Sequence, residues 1–102
     1  MKAMSDKEKI LVILREHAPE LKEAGLKHLG VFGSVARGQA SNQSDIDLIA
    51  DFDRSKRITL VTLGSLESRL GALLGMKVEL SSAEWMKEPV RRRALQEAII
   101  AF

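Results

Sequence analysis

Two aspartates, Asp45 and Asp47, stand one isoleucine apart and follow the pair Gly33-Ser34 after ten intervening residues. Apolar and polar residues nearly alternate through Asp45-Ile46-Asp47-Leu48-Ile49-Ala50-Asp51-Phe52. That is the period of a half-buried strand with Ile46, Leu48, Ala50 and Phe52 on its core face. Both acids then share the opposite face, roughly 6 to 7 Å apart along the backbone, close enough to lean onto one hard cation. Taken alone, such a pair reads more readily as a solvated strand face. The Gly-Ser element upstream is what favours chemistry.

Gly33 closes the apolar run His28-Leu29-Gly30-Val31-Phe32, a predicted short strand, and the segment from Ser34 is predicted to turn helical through Arg37 until Gly38 stops it. N–H groups at a helix start lack intrahelical partners, a glycine lets a ligand approach the main chain, and the Ser34 hydroxyl adds a donor. Arg37 supplies countercharge for phosphate oxygens. Singly, Ser34 reads as an ordinary helix cap and Arg37 as half of a surface ion pair. The chain has neither the Gly-Lys-Ser/Thr of a P-loop nor a G-x-G-x-x-G run. Paired carboxylates beside a phosphate seat suit metal-assisted phosphoryl or nucleotidyl transfer instead.

Gly33-Ser34, ten residues, and Asp45-Ile46-Asp47, with Ala36-Arg37-Gly38 between them, resemble the signature of the polymerase-beta-type nucleotidyltransferase superfamily. The closest likeness is its minimal, MNT-type branch, and it extends over most of the chain, with residues 33 to 48 carrying the specificity. The resemblance implies an α/β (α+β) fold with a small mixed β-sheet flanked by helices. It implies ATP seated with its triphosphate over Gly33 and Ser34, Arg37 nearby, and Mg²⁺ held by Asp45 and Asp47. A third carboxylate comes from a later strand, where the branch usually has a Val-Asp-Leu-like run. Here Lys77-Val78-Glu79-Leu80 takes that place, so Glu79 is the candidate metal ligand or proton acceptor. Its extra methylene moves the oxygens by roughly 1 Å relative to aspartate, a displacement that matters where rate depends on placement.

Many members of that branch resemble antitoxins encoded beside a HEPN-domain ribonuclease toxin. This implies AMP transfer from ATP to a hydroxyl of such a partner, within a hetero-oligomer. The chain contains no tyrosine, so a tyrosine acceptor must belong to the partner. Two other readings fit the same residues: a non-catalytic antitoxin that neutralises its partner by contact, and nucleotidyl transfer to a small molecule or an RNA end.

At 102 residues the chain is expected to form one domain, 1–102, burying about 65% of its unfolded surface. That size leaves little room for a separate acceptor-binding lobe and favours a partner that completes the site. Cysteine is absent and histidine occurs twice, which excludes a disulfide framework and leaves zinc without a ligand set. The apolar run Ile10-Leu11-Val12-Ile13-Leu14 is short and bracketed by charges, so a soluble cytoplasmic protein is expected. Net charge is only +2, and Arg91-Arg92-Arg93, the one tight basic cluster, would splay over about 200° of a helix. It reads as solvated surface, and no nucleic acid is expected as a direct ligand.

The remaining elements must position these groups. Ser5 or Asp6 is predicted to cap a helix to about His17, with Ile10, Ile13 and Leu14 inward, and Pro19 to open a short piece to about Ala24. Gln39 to Ser44 is a polar connection and Arg54 to Arg57 a basic link. From Thr59 to Leu74 a core-facing helix carries Leu60, Leu63, Leu66, Leu70, Leu73 and Leu74 at helical spacing, stopped by Gly75. Gly64 and Gly71 either mark a close backbone approach or are tolerated. After a strand at Val78, Trp85 begins a helical stretch, and Pro89 starts a last helix with Val90, Ala94, Leu95, Ala98 and Ile99 facing inward or toward a partner.

Overall fold

A computed structural model describes residues 6–33, 35–38 and 45–102. The expected cap Ser5, the connection from Gln39 to Ser44 and the phosphate-seat residue Ser34 lie outside the described residues. Helix α1, Asp6–Glu16, begins with Asp6 and Glu8 and ends with Arg15, charges that complement the helix dipole. It buries Ile10, Leu11 and Leu14, so Leu11 takes the inward place expected of Ile13. Helix α2, Ala18–Glu23, carries Pro19 in its first turn, where no intrahelical N–H bond is lost.

Strands β1 (Leu26–Phe32), β2 (Ile46–Phe52), β3 (Val78–Ser82) and β4 (Ile99–Ile100) form one sheet in the order β3-β2-β1-β4. β1 pairs antiparallel with both β2 and β4, whereas β2 and β3 run parallel. The parallel pair needs a crossover, and helix α3, Leu60–Leu74, supplies it. Thr59 caps α3 by accepting the Thr62 N–H, and Gly75 ends it in the left-handed conformation at φ 68°.

One face of the sheet presents Leu29, Val31, Ile46, Leu48, Ala50, Val78 and Leu80 to α1, α2 and α3, and the sheet and these helices share one buried cluster. In β2 Ile46, Leu48 and Ala50 are buried on this face as the alternation predicts, but Ile49 between them is buried as well, and Phe52 is only partly buried and stacks on Trp85 at 5.5 Å between ring centroids. The leucine stripe of α3 is narrower than its spacing predicts. Leu66 and Leu70 are buried, but Leu60, in the first turn, is 88% exposed. Gly71 closely approaches the Met76 carbonyl while Gly64 meets nothing, so the two glycines do not mark a common face.

The C-terminal segment departs furthest from expectation. A short 3₁₀ turn, Ala83–Trp85, ends at Trp85 instead of beginning there, and helix α4, Val90–Glu97, buries only Ala94. Val90 and Leu95 are exposed, and Ile99 sits in β4 instead of on the helix. The chain leaves the helix at Ala98 because β1 offers an open edge: Ala101 N–H donates to the Leu29 carbonyl at 2.8 Å, and Arg15 caps the Ala101 and Ile100 carbonyls. The arginine cluster is solvated as predicted, with Arg91 and Arg92 paired to Glu88. Among the described residues no helix is long and apolar enough to cross a membrane.

Candidate active site

Because Ile46 and Leu48 point into the helix-covered core, Asp47 between them must face the other side of the sheet. Register then determines its neighbours: Phe32 of β1 lies opposite on one side and Glu79 of β3 on the other. Adjacent strands are about 4.8 Å apart and paired residues share a face, so Asp47 and Glu79 stand side by side across β2 and β3. Asp45, exposed, immediately precedes β2.

Gly33 directly follows Phe32 and adopts φ 75°, a conformation that favours glycine. A Cβ there would stand 2.5 Å from Asp47 Oδ2. The bend at 33 and the Asp47 carboxylate are thus packed against each other, and only a residue without a side chain fits between them. Past this point the chain does not continue into the predicted helix. Arg37 N–H donates to the Gly33 carbonyl and Gly38 N–H to that of Val35, a single turn that Gly38 ends at φ 73°. Val35 inserts its side chain into the main core, which ties the turn down and leaves Arg37 at the surface.

The electrostatics agree with this packing. Burial pushes the Asp47 carboxyl above its ordinary pKa, the negative charges of Glu79 and Asp45 push it further, and the Arg37 guanidinium partly offsets them. Among the described residues, no three His, Cys, Asp or Glu side chains are grouped tightly enough to hold a metal by themselves. Carboxylate oxygens are the donor type a hard divalent ion takes, and burial together with the charges of Glu79 and Asp45 disfavours an ionised Asp47 that has no cation beside it.

Two contacts supporting this site have no signature in the sequence. Glu67 of α3 accepts the Leu80 N–H at 2.8 Å, which satisfies a backbone donor on edge strand β3 next to Glu79. Glu97, the last residue of α4, accepts a 3.0 Å hydrogen bond from Arg37 Nη1. Arg37 therefore pairs with a glutamate from near the chain's other end, 60 residues away. No local spacing announces either contact.

Residues 10–101 match the family model of the nucleotidyltransferase domain. The protein adenylyltransferase MntA of Thermococcus cleftensis is 38% identical over 98 residues, spanning 95% of this chain and 97% of that protein. A solved structure of a candidate minimal nucleotidyltransferase superposes with a TM-score of 0.76 at 34% identity, covering 97% of this chain and 98% of the other. A chain from the structure of a tri-AMPylated Shewanella oneidensis HEPN toxin in complex with MNT antitoxin shares the fold at a TM-score of 0.58. It is 18% identical over 95% of this chain and 69% of that one.

Proposed function

The chain belongs to the nucleotidyltransferase domain family, and on that premise we propose that it transfers AMP from ATP to a tyrosine hydroxyl of a partner HEPN-type toxin, acting as its antitoxin. The observation carrying this reading is the packing of Gly33 against the Asp47 carboxylate with Glu79 paired alongside. It brings a main-chain approach for phosphate next to an acidic set in a chain whose relative is a protein adenylyltransferase.

Asp45, Asp47 and Glu79 would hold Mg²⁺, which neutralises phosphate charge and stabilises the entering and leaving oxygens. The protein's own groups do the rest. The bend at Gly33 admits the triphosphate close to the main chain, Ser34 would supply a hydroxyl donor, and Arg37 adds a cation for its oxygens. The acceptor oxygen attacks the α-phosphorus in line, a new P–O bond forms, and the bond to pyrophosphate breaks. Glu79 takes the proton released by the hydroxyl. Since this chain has no tyrosine, a tyrosine acceptor has to come from the partner.

Incubating the protein with α-labelled ATP, Mg²⁺ and its co-expressed partner tests the reading. Label should appear on the partner, and Asp45→Asn with Asp47→Asn should reduce it by a factor on the order of a thousand while thermal unfolding stays cooperative. Unlabelled partner, or an active double variant, would refute it.

A further inference from the structure

We propose that Glu97 is a positioning residue for nucleotide binding: from the end of α4 it holds the Arg37 guanidinium at the mouth of the 33–38 turn, oriented for the donor's phosphates. This rests on the nucleotidyl-transfer reading of the same site.

An arginine on a single surface turn has many rotamers, and the ordering it loses on binding a phosphate weakens that binding. The Arg37 side chain is 45% exposed, so packing alone does not hold it. Glu97 is better anchored. Its side chain is 29% exposed, Ala98 N–H bonds back to Ala94 at 2.9 Å, and the next residues enter β4 on β1. The 3.0 Å bond to Nη1 thus fastens a flexible cation to a fixed element. A guanidinium is a planar fork of five donors, so one edge can serve Glu97 while another meets a phosphate oxygen.

The opposite role would carry the opposite sign. Were Glu97 only a negative charge near the site, removing it would tighten binding of a polyanion. Titrating the full-length protein with a non-hydrolysable ATP analogue and Mg²⁺ separates the two. Glu97→Ala should weaken binding about fivefold to tenfold, Glu97→Gln, which keeps an acceptor oxygen, should weaken it less, and neither should matter once Arg37 is replaced by Gln. In the transfer assay the Ala variant should raise KM for ATP with kcat nearly unchanged. Binding as tight as or tighter than wild type, or an equal penalty in the Arg37→Gln background, would overturn the proposal. If the wild-type protein binds no analogue, both this role and the nucleotidyl-transfer reading fall; if it binds normally and the Glu97 variants match it, only this role does.

Discussion

Asp47 concentrates the cost of the site in one side chain. It is half-buried, it faces Glu79 and Asp45, and its carboxyl is held above its ordinary pKa by burial first and those charges second. A raised folded-state pKa means the folded protein binds the proton more tightly than the unfolded chain does. Stability therefore falls as pH rises through that pKa, and the loss is complete once Asp47 is ionised in both states. Asp47→Asn removes the loss. In the metal-free protein this variant should melt above wild type at pH 7, by about 1 to 3 °C, and the two melting curves should converge as pH falls below the ordinary carboxylate range. Equal or lower melting of the Asn variant at neutral pH would argue against the repulsive cluster. Gly33, Asp45 and Asp47 were legible beforehand because they lie within one short span whose spacing suggests their geometry, whereas Glu79 was reached only through the family resemblance. Glu97 was not legible, since its meeting with Arg37 depends on how α4 returns to β1.

Among the elements, α3 shows how far periodicity reaches. Its leucine spacing predicts a helix from Thr59 to Leu74 stopped by Gly75, and the helix runs Leu60–Leu74 with Thr59 as its cap and Gly75 as its stop, because both follow from local backbone preferences. Which leucines are buried depends on where the sheet ends. Leu60 and Val61 are 88% and 82% exposed, whereas Leu70 is fully enclosed. Leu60→Ser should change unfolding free energy by less than about 0.5 kcal/mol, and Leu70→Ala should cost about 2 to 5 kcal/mol, both read by denaturant titration. Comparable losses from the two would mean the first turn of α3 is covered in the folded protein. Strand β4 escaped prediction for a similar reason: two residues carry too little pattern, and Ile99 and Ile100 become a strand only because β1 has an unpaired edge.

At the scale of the whole molecule, the sheet divides labour between its faces. One face is sealed by α1, α2 and α3 and supplies the stability, and the other carries Asp47 and Glu79 toward the turn at Gly33. The chain contains no tyrosine, so a tyrosine acceptor has to come from another molecule. The account is tested most directly by peptide mass spectrometry of the co-expressed pair after incubation with ATP and Mg²⁺. AMP should be found on a tyrosine of the partner, absent when Asp45 and Asp47 are both asparagine. A partner that stays unmodified by the wild-type protein, or modification that persists in the double variant, would contradict it.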